Sequence, residues 1–527
     1  MDVPRYATLS YCWGIKNFIK LTRDNLEDFL KEIPKEKLPK TFTDAIYTAR
    51  ALGLQYIWID SLCIIQGESD HLDWISESGK MRFVYGSAYV NIAATTATDV
   101  YEGCLTKALN YSGGFLARVS TRKYCCVRNF HARDVYDAST SKTHLATRAW
   151  TLQERLLAPR TIYLGKQGLF CECRTTWISE FLPRGSPDIL ATKLVVPEDT
   201  PWNWSAIVRR YSNAKMTNAA DKLPALSGIA RRQHEANGGH YLAGMWKEKF
   251  LRQLVWSCSG KGKRPEWRAP SWSWTSVNTS THYWGYWNSG PERELGSDEF
   301  ACVLDVWTSL AGPDPFGAVT DGELRMSCRG LVCGCFAVTE DQKETEDSVT
   351  IDRSEERFTL FMDTNDDEST KSGETLILLP IIGGKAGSRG YGAPREAVET
   401  AQLAHAGVKE SKDEAQNAQP GLLATSEFEL SDQEQSDSEI GEVEWEEMLI
   451  RGLVLSSPGK RLGEFRRIGS FDFRHRKPLR DPDIEKDQYT EFVRVMQEVG
   501  ASTAASWCAE TLPDSNAHDM PYVITIK

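Results

Sequence analysis

The chain has 527 residues, 41% hydrophobic and 26% charged, which is material for two to four domains with sizeable cores. No run approaches the roughly 18 apolar residues of a membrane span, and the opening Met1-Asp2-Val3-Pro4-Arg5 lacks the parts of a signal peptide, so a membrane protein is excluded and a cytoplasmic one expected. The net charge of −11 is local: residues 413–450 hold 12 acidic and no basic residues, and the remainder sums to +1, without the basic face of a nucleic-acid binder.

Strand and helix signals alternate over the first ~105 residues. Tyr6 to Tyr11 is β-rich and ends at Cys12-Trp13-Gly14. Pro39 then introduces Thr41 as a helix cap. Phe42, Ala45, Ile46, Ala49 and Leu52 follow the i, i+3, i+4, i+7 rule, and Gly53 stops the helix. Tyr56 to Asp60 is a short, nearly continuous apolar run, as in a strand buried on both faces. One helix is expected from about Asp70 to Tyr85, followed by a strand at Tyr89 to Ala94. This alternation predicts βαβ units in an open, mostly parallel, flavodoxin-like sheet flanked by helices.

Residues 106–145 are irregular and read as an insert. Thr147 to Leu157 is a helix ended by Pro159. Thr161 to Leu164 and Leu169 to Cys173 are strands joined as a hairpin through Gly165 to Gly168. Residues 1–180 thus form a first domain. A helical region rich in Trp follows at 181–253, then a β-rich region at 254–383, with strands at 254–258, 301–307, 323–338, 356–361 and 375–382. An acidic disordered insert at 384–447 has too little apolar surface to offset its ordering. Residues 448–527 complete the β-rich part, with a strand at 449–456, a helix at 489–499 and a last strand at 522–526. Arg466, Arg467, Arg474, Arg476 and Lys477 read as a solvated basic face.

The 13 cysteines are scattered, include no C-x-x-C and lie away from any His at zinc-finger spacing, so reduced thiols and no metal site are expected. Nine of the 17 tryptophans fall between Trp202 and Trp287, most simply as aromatic anchors in a core or inter-domain seam. There is no P-loop, G-x-G-x-x-G, H-E-x-x-H or G-x-S-x-G, which disfavours the usual nucleotide, zinc-protease and hydrolase chemistries. What remains is polar residues at predicted strand ends, where an open parallel sheet binds ligands. The first strand delivers Ser10, Tyr11, Trp13 and Gly14. The second delivers Asp60, Ser61, Cys63 and Gln66. The helix beyond carries Asp73, Trp74 and Glu77, with Asp73 and Glu77 one turn apart. Asp60 is equally a cap for the next turn, and Glu154 beside Arg155 is most simply an ion pair or surface contact.

Four ordered blocks carry a family resemblance. Tyr6-Ala7-Thr8-Leu9-Ser10-Tyr11-Cys12-Trp13-Gly14, Leu38-Pro39-Lys40-Thr41-Phe42-Thr43-Asp44-Ala45-Ile46, Tyr56 to Gln66 with Asp73-Trp74 and Glu77, and Arg148-Ala149-Trp150-Thr151-Leu152-Gln153-Glu154-Arg155 resemble the motifs of the fungal heterokaryon incompatibility (HET) domain. The resemblance implies non-self recognition and regulated cell-death signalling. It also implies a remote likeness to TIR domains, some of which cleave NAD with a glutamate in W-C-x-x-E. Here Trp74-Ile75-Ser76-Glu77 keeps W-x-x-E without the cysteine.

On that basis Glu77 is the catalytic candidate, with Asp60 second, stabilising an oxocarbenium-like state on the sugar. Ser10 and Ser61 would bind ribose hydroxyls, and Trp13 or Trp74 would stack on a ring. Gly14 and Gln66 complete the ligand-binding set. NAD would be a substrate, and no cofactor or metal is required. The alternative is a non-catalytic module that signals by self-association or by docking a protein partner.

Overall fold

The computed structural model describes residues 4–67, 71–105, 117–120, 123–125, 132–166, 168–174, 176–180, 183, 204–260, 264–283, 298–341, 344–351, 357–364, 373–386, 445–457, 461–478, 488–513 and 520–527. The N-terminal part runs β1 (Tyr6–Ser10), α1 (Leu26–Lys31), α2 (Lys40–Ala51), β2 (Tyr56–Trp58), α3 (Asp60–Cys63), α4 (His71–Ser78), α5 (Met81–Gly86) and β3 (Val90–Ala93). It continues with β4 (Ala117–Ser120), β5 (Lys123–Cys125), α6 (Ala132–Thr140), α7 (Ala149–Leu157), β6 (Arg160–Gly165), β7 (Gly168–Cys173) and β8 (Trp177–Ser179). One six-stranded sheet has the order β2-β1-β3-β6-β7-β8. The first four strands pair in parallel, and β7 and β8 add antiparallel. The sheet is therefore mixed: the tight β6–β7 hairpin closes at Gly165 and Gly168 and reverses the chain where a further parallel crossover would have stood.

The alternation of β1 sets the two faces of this sheet. Ala7, Leu9 and Tyr11 join Val90, Ile92, Phe42, Ala45 and Ala49 in one apolar cluster under α2. Burying Phe42 completely stabilises by about 2–3 kcal/mol. Thr8, Ser10 and Asn91 point to the opposite face, where the Thr8 hydroxyl donates to Asn91 Oδ1 at 3.0 Å and Asn91 Nδ2 to Ser10 Oγ at 3.0 Å.

Two helix expectations need correction. α2 begins at Lys40 behind Pro39, so Thr41 lies inside it, fully buried, with its amide donating to Val100 O at 3.0 Å. Proline's fixed φ is pre-organised for a helix entry, and no side-chain cap is used. The single helix expected near Asp70 to Tyr85 is two, α4 and α5, broken at Gly79-Lys80. The helix preference of glycine is about 1 kcal/mol poorer than that of alanine. The break also seats Gly79 against Asp314, with room there for no more than a Cβ in van der Waals contact.

The middle of the chain holds α8 (Trp204–Ser212), α9 (Pro224–Asn237), β9 (Tyr241–Leu242), β10 (Met245–Trp246), α10 (Phe250–Leu254), β11 (Trp256–Ser259) and β12 (Ser280–Tyr283). Helices are present, but the β9–β10 hairpin interrupts them, and their core is not their own. Trp204, Trp246, Trp256, Trp272 and Trp274 belong to one apolar cluster with Leu324, Met326, Ile377 and Ile524 of the following region. The indole N–H groups of Trp204 and Trp274 both donate to Gly244 O, at 2.9 and 2.8 Å. These tryptophans are core anchors; Trp204, Trp256 and Trp274 have their indole N–H satisfied, while those of Trp246 and Trp272 are buried without a partner among the described residues.

The remainder comprises β13 (Asp298–Glu299), β14 (Ala301–Leu310), β15 (Val319–Cys328), β16 (Val332–Asp341), β17 (Glu344–Ile351), β18 (Arg357–Met362), β19 (Thr375–Ala386), β20 (Trp445–Ser456), β21 (Glu464–Pro478), α11 (Gln488–Trp507), β22 (Glu510–Thr511) and β23 (Tyr522–Ile526). Strands β16-β17-β18-β21-β20-β19 close back onto β16 as an antiparallel barrel. Val332, Phe336, Val349, Phe358, Leu360, Ile450 and Phe471 form its apolar cluster with Tyr489, Phe492 and Met496 of α11. Pro380, which cannot donate to a ladder, sits at a register shift of β19.

The strand expected over 323–338 is two strands that part at Gly330, where an added Cβ would stand 2.8 Å from the Gly500 backbone. The ends of the expected disordered insert are ordered: Gly384 pairs with Leu449 and Ala386 with Glu447 as β19 and β20 extend each other. Residues 387–444 lie outside the described residues. The expected basic face is not wholly solvated. Arg467 is fully buried, paired with Asp363 at 3.2 Å, and donates to Leu254 O and Trp256 O at 2.5 and 2.6 Å. Among the described residues no helix is long and apolar enough to cross a membrane.

Candidate active site

Strands β1 and β2 deliver their polar residues to one place. Asp60 is the first residue of the short helix α3, immediately past β2. Its Oδ1 accepts from the Tyr11 hydroxyl at 2.6 Å and from the Ser61 amide at 2.6 Å, and its Oδ2 from the Trp13 indole at 3.1 Å. The Tyr11 hydroxyl also lies 2.8 Å from Ser61 Oγ. Burial pushes the Asp60 carboxyl above its ordinary value, while the bonds from Tyr11, Ser61 and Trp13 and the charge of Arg148 oppose that push. Asp60 is not the cap of its turn: Ile59 holds the N-cap position without a side-chain cap bond, and Asp60, one residue on, gathers Tyr11, Trp13 and the Ser61 amide.

Helix α7 closes the space from above the polar face of the sheet. It is buried nearly all round, through Ala149, Thr151, Leu152, Gln153, Arg155, Leu156 and Leu157. Such a helix lies between two layers. On its far side Gln153 Oε1 accepts from the Gly228 amide of α9 at 2.7 Å, where a Cβ on Gly228 would meet that same oxygen at 2.7 Å. On its near side Glu154 lies beside the hydroxyls of Ser10 and Tyr85, and its Oε2 is enclosed without a hydrogen-bond partner among the described residues. Burial raises its carboxyl to about 7, with the nearby Asp60 adding to the rise and Arg148 reducing it. Arg148, just before α7, donates to Tyr11 O at 3.0 Å and is the cation of the group.

Glu154 and Arg155 therefore do not form the ion pair expected of neighbours. Successive helix positions point about 100° apart. Arg155 turns away to Glu172 on β7 at 3.1 Å and to the Tyr136 hydroxyl at 2.9 Å, and Tyr163 also bonds Glu172. That second network is sealed and structural.

The remaining sequence candidates divide. Trp13 and Ser61 gather on Asp60, Ser10 lies beside Asn91 and Glu154, and Lys20 stands 4.8 Å over the Trp13 ring. Gly14 adjoins it with a backbone role: its φ is +75°, and a Cβ would lie 2.4 Å from Asp99 Cβ. Gln66 is occupied locally, its Nε2 donating to Ile64 O at 3.0 Å. Trp74 packs edge-on against Trp150 at 6.0 Å. Asp73 Oδ2 accepts from the Ile65 amide at 2.9 Å, tying α4 back to the loop after α3. Glu77 is half-buried and paired with Lys80 at 2.6 Å. The Cys63 side chain reaches solvent, yet the surrounding protein and the charges of Asp60 and Glu77 push its thiol up, away from the thiolate a nucleophile needs. Among the described residues no group of three His, Cys, Asp or Glu is placed to hold a metal.

Tyr85, Arg148 and Glu154 were not singled out as site residues in the sequence. The sequence carries no clear signal for Glu154, because Thr151, Gln153 and Arg155 make the same helix look partly polar.

Residues 6–154 match the heterokaryon incompatibility protein (HET) family. The match spans every residue of this buried polar group, from Ser10 to Glu154. No curated protein and no solved structure gave a match. The HET region thus covers the parallel strands β1, β2 and β3 and ends within α7, before the fourth parallel strand β6, while the barrel lies wholly outside it.

Proposed function

We propose that the HET region acts in fungal heterokaryon incompatibility as a cell-death effector that cleaves the nicotinamide–ribose bond of NAD in the cleft between Asp60 and Glu154. The observation that carries this reading is the pairing of environments. Asp60 is held by three donors that favour its charged form, while Glu154 is enclosed and titrates near neutrality. Both carboxyls are raised by burial, and a carboxyl rich in donors beside an enclosed one is a pair that glycosidic chemistry can use.

The bond from the anomeric carbon to the nicotinamide nitrogen breaks, and its electron pair neutralises the pyridinium ring. The Asp60 carboxylate stabilises the oxocarbenium-like sugar that develops. Water adds to the anomeric carbon and its proton passes to ionised Glu154, giving nicotinamide and ADP-ribose. Trp13 offers a ring edge to the base, and Ser10 and Ser61 offer hydroxyls to the ribose. This reading moves the principal role from Glu77, which Lys80 already neutralises, to Asp60. Its test is the pH profile of nicotinamide release. Wild type is expected to lose kcat below about pH 7 as Glu154 takes up its proton, and Glu154→Gln to lower kcat on the order of 10²-fold and flatten that limb. An unchanged acid limb in Glu154→Gln defeats the assignment.

A non-catalytic reading has its own observation. Among the described residues β2 is an edge strand with Tyr56 55% exposed, and Tyr47 on α2 is 65% exposed. An unpaired edge with aromatic side chains favours self-association. Sedimentation showing a concentration-dependent oligomer that Tyr56→Lys abolishes, without NAD turnover, would establish it.

A further inference from the structure

A second polar recess opens along the same rim of the sheet, at the carboxyl ends of β3 and β6. It has a volume of about 270 Å³. Thr95, Thr96 and Thr98 follow β3, Lys166 follows β6, and Lys142 and His144 follow α6. Its lining has two lysines, a histidine and several hydroxyls, and no carboxylate.

Three details separate this recess from an ordinary solvated surface. First, Thr96 Oγ1 is enclosed without a hydrogen-bond partner among the described residues, although buried hydroxyls are normally satisfied. Second, Lys142 and Lys166 form no ion pair among the described residues, while Glu102 in the loop after β3 is engaged by the Thr98 amide and hydroxyl at 2.7 and 2.9 Å. Third, Lys142 is not needed to satisfy the C-terminus of α6. Asp137 O accepts from the Ser141 and Lys142 amides, Tyr136 O from the Thr140 hydroxyl, and Thr140 O from the Thr143 hydroxyl. Gly165 ends β6 beside the recess, with Ser139 of α6 at 3.4 Å from where its Cβ would stand.

We propose that this recess is an anion subsite that takes a phosphate or diphosphate group, with Lys142, Lys166 and the Thr96 hydroxyl as its donors. Ammonium and hydroxyl donors around one space suit several phosphate oxygens at once. In the order β2-β1-β3-β6 the recess lies two to three strands from Asp60, about 10–15 Å along the rim. That separation is within the reach of a dinucleotide, so the recess would hold the phosphates of the same NAD molecule whose ribose sits at Asp60, a step that rests on the proposed function. A separate nucleoside diphosphate or free phosphate is the other source of the same chemistry.

Calorimetry of the full chain with ADP and with inorganic pyrophosphate tests the subsite itself. Wild type and Asp60→Asn are expected to bind ADP alike. Lys142→Gln/Lys166→Gln should bind it at least tenfold more weakly, and Thr96→Val, which keeps the shape and removes the hydroxyl, severalfold more weakly. No binding by wild type, or binding unchanged in the double variant, overturns the subsite. Binding lowered by the lysine changes but untouched in Thr96→Val reduces it to a general positive field and overturns the built site. In a parallel assay of nicotinamide release, the double variant should raise KM at least tenfold with kcat kept. If wild type binds ADP through these residues and never turns NAD over, the anion subsite stands, the NAD reading fails, and the separate nucleotide is the source.

Discussion

At the residue scale, Glu154 carries a consequence that can be measured without any substrate. Its carboxyl lies at about 7 in the folded chain against an ordinary 4.5, so the folded state holds its proton more tightly than the unfolded one. Stability is therefore highest below about pH 4.5 as far as this group is concerned. It falls as pH rises and has lost the full amount above about 7, on the order of 3 kcal/mol at most. Glu154→Gln removes the ionisation, and thermal melts should show it gaining on wild type between pH 5 and pH 8. Equal melting differences at both pH values would contradict the burial of this carboxyl. Asp60 and Ser61 were legible in sequence because strand-end polar residues follow from the period of the strands alone. Glu154 was not, because a Glu-Arg neighbour pair on a helix is ordinarily a surface feature. The layers on either side of it, α5 and the sheet on one and α9 far along the chain on the other, turn α7 into a buried helix.

At the element scale, the block Leu38 to Ile46 works as a clamp rather than as part of the cleft. Asp44 of α2 accepts from the amides of Cys104 and Leu105 at 2.9 and 3.1 Å and pairs with Lys40. Burial works against its ionisation, but Lys40 and those amides prevail and hold its carboxyl below the ordinary value. Asp44→Ala leaves the buried Cys104 amide and the half-buried Leu105 amide unpaired and should cost about 2–3 kcal/mol by denaturant unfolding. A cost under ~0.5 kcal/mol would show that the loop after β3 is not held this way. The helix stripe of α2 was readable from periodicity, as was the β6–β7 hairpin from its glycines. The division of α4 from α5 was not, since Trp74, Met81 and Tyr85 preserve a rough stripe across the break at Gly79. Nor was the turn at Gly330, which is fixed by the approach of the distant Gly500 backbone.

At the scale of the whole molecule, the HET region and the barrel are joined through shared layers. Arg82 pairs with Glu235 of α9 at 2.7 Å, and Arg231 of α9 with Asp314 at the tip of the β14–β15 hairpin at 2.7 Å. Deeper in, Arg467 of the barrel reaches across to the backbone of Leu254 and Trp256 and pairs with Asp363. Arg467→Leu removes those bonds and leaves Asp363 a buried, weakened pair with Arg264 at 3.9 Å. A loss of about 3–5 kcal/mol is expected, read as a lower transition midpoint for the whole chain. A melt in which only the barrel is affected would contradict the shared core. The closed barrel was beyond sequence reading because β17 and β21 were not recognised as strands, and closure depends on pairings far apart in the chain.

The working carboxylate proposed for NAD cleavage is Asp60. The measurement that tests this most directly is nicotinamide release from NAD by the purified full chain, compared among wild type, Asp60→Asn and Glu77→Gln, with circular dichroism confirming that all three are folded. The prediction is release by wild type, a fall on the order of 10²-fold or more in Asp60→Asn, and a change of no more than a few-fold in Glu77→Gln. Release undiminished in folded Asp60→Asn, or a loss confined to Glu77→Gln, would contradict it.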